Sequence, residues 1–151
     1  MRIRNFSFGG TSAIVTNMGL IIGFDQTSVS KSALLSGLLI VAIADNLTDS
    51  LSIHIYQESE QLEEREAFRA TLTNFMARFS LSLSFMLILI LFPSGAVTLT
   101  SMIWGIFLLT GLTYYVARSR KVRPVPEIWK HLLVALVVIA ISRFIGRVLL
   151  K

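Results

Sequence analysis

The sequence predicts an all-α integral membrane protein with five transmembrane helices, N-terminus inside and C-terminus outside. Three observations carry this. Hydrophobic residues make up 54% of the 151-residue chain and charged residues 15%, with a mean hydropathy of +0.70. That is too apolar for a soluble domain of this size, in which surface outweighs core. The apolar residues gather into five stretches near the roughly 17–25 residues that cross about 30 Å of hydrocarbon as a helix. The basic residues between them lie mostly on one side, the asymmetry that sets orientation. A barrel is disfavoured, because its strands alternate, whereas stretch 81–92 is apolar on every face.

The first span, 8–24, is rich in Gly, Ser and Thr and contains Asn17. Arg2 and Arg4 precede it and no small-residue cleavage site ends it, so it reads as an uncleaved helix and not a signal peptide. Gly19 and Gly23 form a GxxxG pattern that permits close helix approach. A polar joint at 25–32 leads to the second span, 33–56. Residues 57–72 hold Glu58, Glu60, Glu63, Glu64 and Glu66 with strong helix formers and no Pro or Gly, which predicts a short acidic cytoplasmic helix continuing the second span. The third span, 73–92, ends at Pro93-Ser94-Gly95; the fourth, 97–117, ends at a basic joint broken by Pro124 and Pro126; the fifth is 128–150. The whole chain, 1–151, forms a single transmembrane domain.

With the N-terminus inside, cytoplasmic segments hold Arg2, Arg4, Arg65, Arg69, Arg118, Arg120, Lys121 and Arg123, against Lys31, Arg147 and Lys151 outside. The run from Arg118 to Arg123 is read as this orientation signal, with contact to anionic lipid as the alternative. The net charge of +5 therefore reports topology and not nucleic acid. The chain has no cysteine, which excludes disulfides, thiolate metal sites and cysteine nucleophiles. No Gly-x-Ser-x-Gly, His-Glu-x-x-His or Walker loop occurs, so no enzyme is expected and any pumping would draw on an ion gradient.

The most informative residues are Asp45 and Asp49, four apart within the second span. An aspartate at the centre of an inserted helix costs about 2.5–3.5 kcal/mol, so such groups are kept for function or are compensated. Asp45, Asp49 and Ser52 form one stripe at i, i+4 and i+7, flanked by Asn46 and Thr48. Paired carboxylates with hydroxyl and amide oxygens suit hard divalent cations and protons. That ion-handling reading comes first, and the alternative is a structural ion pair, with Arg78 or Arg143 as partner. Thr16, Asn17 and Ser12 offer oxygens from the first span. Met18, Met76, Met86 and Met102 read as core before ligands, and His54 and His131 as interfacial groups before ligands. The glutamates read either as a solvated face or as a cation-collecting patch.

The stretch Ser12-Ala13-Ile14-Val15-Thr16-Asn17-Met18 through Gly23 resembles the Asp-Gly-Leu-Val-Thr-Thr opening of the vacuolar iron transporter family, which includes the nodulin-21-like proteins. Ala44-Asp45-Asn46-Leu47-Thr48-Asp49-Ser50-Leu51-Ser52, followed by Gln57-Glu58, resembles its Ser-Met-Ala-Ala-Gly-Glu-Tyr-x-Ser signature. The layout matches over nearly the whole chain. The departures are Ser12 for the family's aspartate and Asp45 for its methionine, while Asp49 keeps a carboxylate. Residues 57–72 are too few for the family's cytoplasmic metal-binding insert, so the chain looks like a divergent short member.

That resemblance implies a homodimer exporting divalent metal, Fe²⁺ or Mn²⁺, from the cytoplasm in exchange for protons, with no permanently bound cofactor. The metal would meet Asp45, Asp49, Asn17, Thr16, Ser52, Glu58, Glu63 and Glu66. The expected partners are the lipid bilayer, a second copy and divalent metal, and the membrane is the cell membrane in a prokaryote or an organelle membrane otherwise. The rival expectation is a transport-inactive scaffold or partner-binding relative. The two separate on one point: Asp45 and Asp49 paired with Arg78 or Arg143 favours the scaffold, and an open carboxylate-lined cavity favours transport.

Overall fold

A computed structural model of the chain describes residues 3–25, 29–61 and 63–149, with side chains from Gly9 to Val148 within those ranges. Arg2, Leu62, Lys151 and the side chain of Arg4, used above for topology and helix continuity, lie outside this description. Five α-helices are present among the described residues: α1 (Ile3–Phe24), α2 (Lys31–Ser59), α3 (Glu64–Leu91), α4 (Ser94–Ser119) and α5 (Pro124–Leu149). Four helices, α2 to α5, are long and apolar enough to cross a membrane, and α1 contributes the shorter apolar stretch Gly9–Phe24.

The first span, rich in Gly, Ser and Thr, is the centre of the bundle. Helix α1 packs closely against α3, α4 and α5 and lightly against α2, while α2 pairs with α3 and α4 with α5. Ile14, Met18, Ile21 and Ile22 of α1 are buried in the main core with Leu38, Phe85, Leu89 and Leu109. A helix approached from all sides needs small residues more than greasy ones, which explains its Gly and Ser content. A Cβ on Gly19 would sit 3.1 Å from both Ser142 Oγ and Val138 Cγ1, and one on Gly23 would sit 3.4 Å from the Ser142 carbonyl oxygen. The GxxxG face therefore seats α5 within the same chain. The outward rows, such as Ile40, Ile43, Leu47 and Leu51 on α2, remain exposed and apolar.

The helix ends also differ from the sequence expectation. Residues 57–72 do not extend α2 as one acidic helix: α2 stops at Ser59 and α3 begins at Glu64, with Gln61 between them at φ 55°. Local propensity favours continuation, but the long α2–α3 hairpin requires a reversal there, and packing over two long helices outweighs the cost of about 1–2 kcal/mol for one left-handed residue. At the other end of this hairpin, Lys31 Nζ donates to the carbonyls of Phe92 (2.8 Å) and Ile90 (3.4 Å), capping the C-terminus of α3. Ser30 Oγ accepts from the Ala33 amide at 3.2 Å and caps α2. Pro124 and Pro126 do break the chain, but as the opening turn of α5, where a missing N–H costs nothing. Helix α4 closes with Lys121 at φ 57° and paired bonds, Val122 N to Ala117 O (3.0 Å) and Lys121 N to Arg118 O (3.1 Å).

A control for the packing argument is Gly37, inside α2, where an added Cβ meets nothing within 4 Å. Gly37→Ala is expected to stabilise the protein by about 0.5–1 kcal/mol through helix propensity alone, read as a raised thermal midpoint in detergent.

Candidate functional site

Two helical rows meet to form the site. On α2 the residues at four-residue spacing, Leu38, Ala42, Asn46 and Ser50, are buried. On α3 the corresponding row is Asn74, Arg78 and Ser82, all at most 1% exposed. This spacing keeps each row on one face, so three polar side chains of α3 point at α2 and α1 together. Asp45 and Asp49 stand one position before Asn46 and Ser50, at the edge of the interface.

Arg78 is the hub. Its Nε donates to Asn46 Oδ1 at 2.8 Å, and its Nη1 donates to Asp49 Oδ2 at 3.0 Å and to the Gly9 carbonyl at 3.3 Å. Its Nη2 pairs with Asp45 Oδ2. Three helices are thus tied by one guanidinium, whose planar fork can serve several acceptors at once. Asn74 Nδ2 adds bonds to Asp49 Oδ2 (3.1 Å) and Ser50 Oγ (3.4 Å). Further along, Asn17 Nδ2 donates to Ser82 Oγ at 2.9 Å and to its own helix at Ala13 O, 2.7 Å. Asn17 Oδ1, Asn46 Nδ2 and Asn74 Oδ1 are buried without a partner in the protein, and such groups are the ones ordered water satisfies.

Depth and exposure set the electrostatics. Counting about 1.5 Å per residue from Lys31, Asp45 lies about 21 Å and Asp49 about 27 Å along α2, within the thickness of a hydrocarbon core. The Arg78 side chain is 1% exposed, Asp49 23% and Asp45 48%. Two carboxylates against one guanidinium leave the cluster one negative charge in excess, carried at the outward side by Asp45. The buried guanidinium has its charge answered twice, and either carboxylate would have to leave it in order to ligate a cation.

The other residues proposed as ligands are not gathered here. Ser52 is exposed and its hydroxyl donates to Thr48 O at 3.0 Å, as Thr48 Oγ1 does to Ala44 O at 2.9 Å. Both satisfy themselves on their own helix. Thr16 is partly buried and Ser12 exposed on α1, apart from the Asn17 face. Glu58 approaches His54 Nε2 at 3.4 Å, and His54 Nδ1 lies 3.4 Å from Thr71 Oγ1. Glu63 is the N-cap of α3 and Glu66 sits in its first turn. Among the described residues there is no group of three or more His, Asp or Glu placed to hold a metal ion. Arg143 is exposed on α5, so of the two arginine candidates it is Arg78 that both aspartates engage.

Asn74, Ser82 and Ser50 were missed in the sequence. Their signal was present as Asn74, Arg78 and Ser82 at i, i+4 and i+8, a polar row in an apolar span, which reads as a second stripe facing the first. No family model matches the chain, and neither a curated protein nor a solved structure matches it.

Proposed function

We propose that the protein is a membrane-embedded scaffold or partner-binding subunit, a transport-inactive short relative of the vacuolar iron transporter family, lying N-in and C-out as a homodimer. The observation that carries this reading is the pairing of Arg78 with both Asp45 and Asp49. A carboxylate held by a buried guanidinium has low affinity for an added cation, and here the pair joins α2 to α3 and, through Gly9, to α1. The basic residues from Arg118 to Arg123 support the orientation. The half-exposed carboxylate of Asp45 supports a covering partner helix, because a charge at that depth is costly when it faces lipid.

The second reading is the proton-coupled exporter of Fe²⁺ or Mn²⁺. It rests on two carboxyl groups sharing one guanidinium, with that of Asp45 half exposed. One experiment separates the two: uptake of Fe²⁺ and Mn²⁺ into proteoliposomes under an imposed pH gradient, with native protein and Asp45→Asn/Asp49→Asn reconstituted to equal density. The expected result is flux at the level of empty liposomes for both proteins. Gradient-dependent flux in native protein that disappears in the double variant would sink the scaffold proposal and establish the exchanger.

A further inference from the structure

A second feature lies on the opposite side of α3 from the aspartates. Helices α3 and α4 each pack closely on α1 but only lightly on one another, and the gap between them is a groove of about 550 Å³, within the range of roughly 300–1,000 Å³ of ligand sites. Its walls are apolar with small hydroxyl residues, running on α3 from Leu72 past Ser80 to Ser84 and on α4 along Trp104 and Leu108. Trp104 Nε1 donates to Ser84 Oγ at 2.9 Å and joins the two walls at one end.

The length of the groove selects its occupant. Leu72 to Ser84 spans about 18 Å at 1.5 Å per residue. A packed transmembrane helix would need a groove running through about 30 Å, whereas one leaflet is about half of that. The groove therefore has the reach of a lipid acyl chain entering from one membrane surface and stopping near the midplane at the Trp104–Ser84 contact.

The open end carries the charge. Helices α3 and α4 run antiparallel, so with Ser84 beside Trp104, the same axial distance of fifteen residues brings Arg69 level with Ser119. Arg69 continues the groove face of α3 two turns before Met76, while Tyr115 continues that of α4 two turns beyond Leu108 and Arg118 flanks it, past Gly111, where an added Cβ would meet nothing within 4 Å. Both arginines are exposed, and Arg120 and Lys121 follow at the same end. Tyr114 and Tyr115 on α4 and Phe68 on α3 are exposed at this level, the residue types that mark a headgroup boundary. Glu66 shares the α3 face one turn beyond Arg69, so the basic pair lies between the glutamate and the apolar walls. A second copy docking through this groove would bring the same arginines together and be repelled, while an anionic headgroup is attracted.

We infer that the α3–α4 groove is a binding site for one anionic glycerophospholipid, its acyl chain along Ser80 and Trp104 and its phosphate between Arg69 and Arg118. The site requires only that the helices be embedded in a bilayer, and is independent of what the Asp45–Arg78–Asp49 cluster does.

Trp104 provides the readout. The chain has two tryptophans, and Trp129→Phe, at an exposed position of α5, leaves Trp104 alone. The full-length variant is reconstituted in phosphatidylcholine vesicles containing a minor fraction of brominated phosphatidylglycerol or, as control, the same fraction of brominated phosphatidylcholine. Stronger quenching by the phosphatidylglycerol is expected, and Arg69→Gln/Arg118→Gln should lower the relative binding constant by roughly tenfold or more. Ser80→Leu, which fills the groove with both arginines in place, should abolish the excess quenching. Equal quenching by the two lipids, or an excess that survives both sets of substitutions, overturns the site. A Ser80→Leu protein that keeps the excess quenching and changes its oligomeric state also overturns it, by assigning the groove to a second copy. Metal flux and partner binding do not enter this readout, so the scaffold proposal and the lipid site fail separately.

Discussion

Arg78→Met is expected to destabilise the folded protein by about 3–5 kcal/mol, the range for breaking a buried ion pair by removing one partner. The loss is not mainly that of attraction. Methionine leaves Asp49, three-quarters buried, and Asp45 facing each other across one helical turn with no counter-charge, and it also strands Asn46 Oδ1. The triple variant Arg78→Met/Asp45→Asn/Asp49→Asn removes all three charges together and should regain most of the stability, since an uncharged polar layer costs far less to bury than an unpaired carboxylate. Arg78→Lys should fall between, because an ammonium keeps the charge without the planar fork that reaches three helices. The check is the midpoint of unfolding in mixed detergent and SDS micelles. A native-like midpoint for Arg78→Met, or a triple variant no better than the single one, would remove the cluster from its role as the lock between α1, α2 and α3.

Gly9→Ala is expected to destabilise by about 1–3 kcal/mol, the cost of overpacking a filled site, although alanine is favoured over glycine by about 1 kcal/mol in an ordinary helix. The added Cβ would lie 2.8 Å from Arg78 Cδ and 2.9 Å from Arg78 Cγ, and closer still to Asn74 Oδ1. Neither neighbour can move freely, because both are held by the aspartates. The sign of the effect is therefore the test, with Gly37→Ala as the control of opposite sign. A double-mutant cycle sharpens it: if the penalty arises from displacing Arg78, Gly9→Ala should cost much less in the Arg78→Met background. An unchanged penalty there would locate the strain elsewhere on α1.

Much of this was readable in advance because its causes are local. Apolar runs long enough to span hydrocarbon, the polar joints, and the cost of two aspartates in such a run depend only on residue type and order. Arg78 was readable as one of two possible counter-charges. The choice between it and Arg143 was not, because it depends on which helix lies against α2. The end of the acidic segment was misread for the same kind of reason: the turn at Gln61 is imposed by the α2–α3 hairpin and has no Gly or Pro to announce it. Ser52, placed on the aspartate stripe by its spacing, faces outward because the buried row of α2 is centred on Asn46 and Ser50.

That the chain is helical, apolar and built of five segments, and that Asp45 and Asp49 demand compensation, follows from residue order alone, because hydrophobic period and the price of a charge in hydrocarbon are set residue by residue. That α1 is the buried axis, that Gly19 and Gly23 seat α5 within the chain, and that Arg78 holds both aspartates emerges from how the five helices pack. Those outcomes depend on which faces meet across tens of residues, and helices with apolar sides all round leave that choice to small residues and polar groups, whose partners no local pattern names.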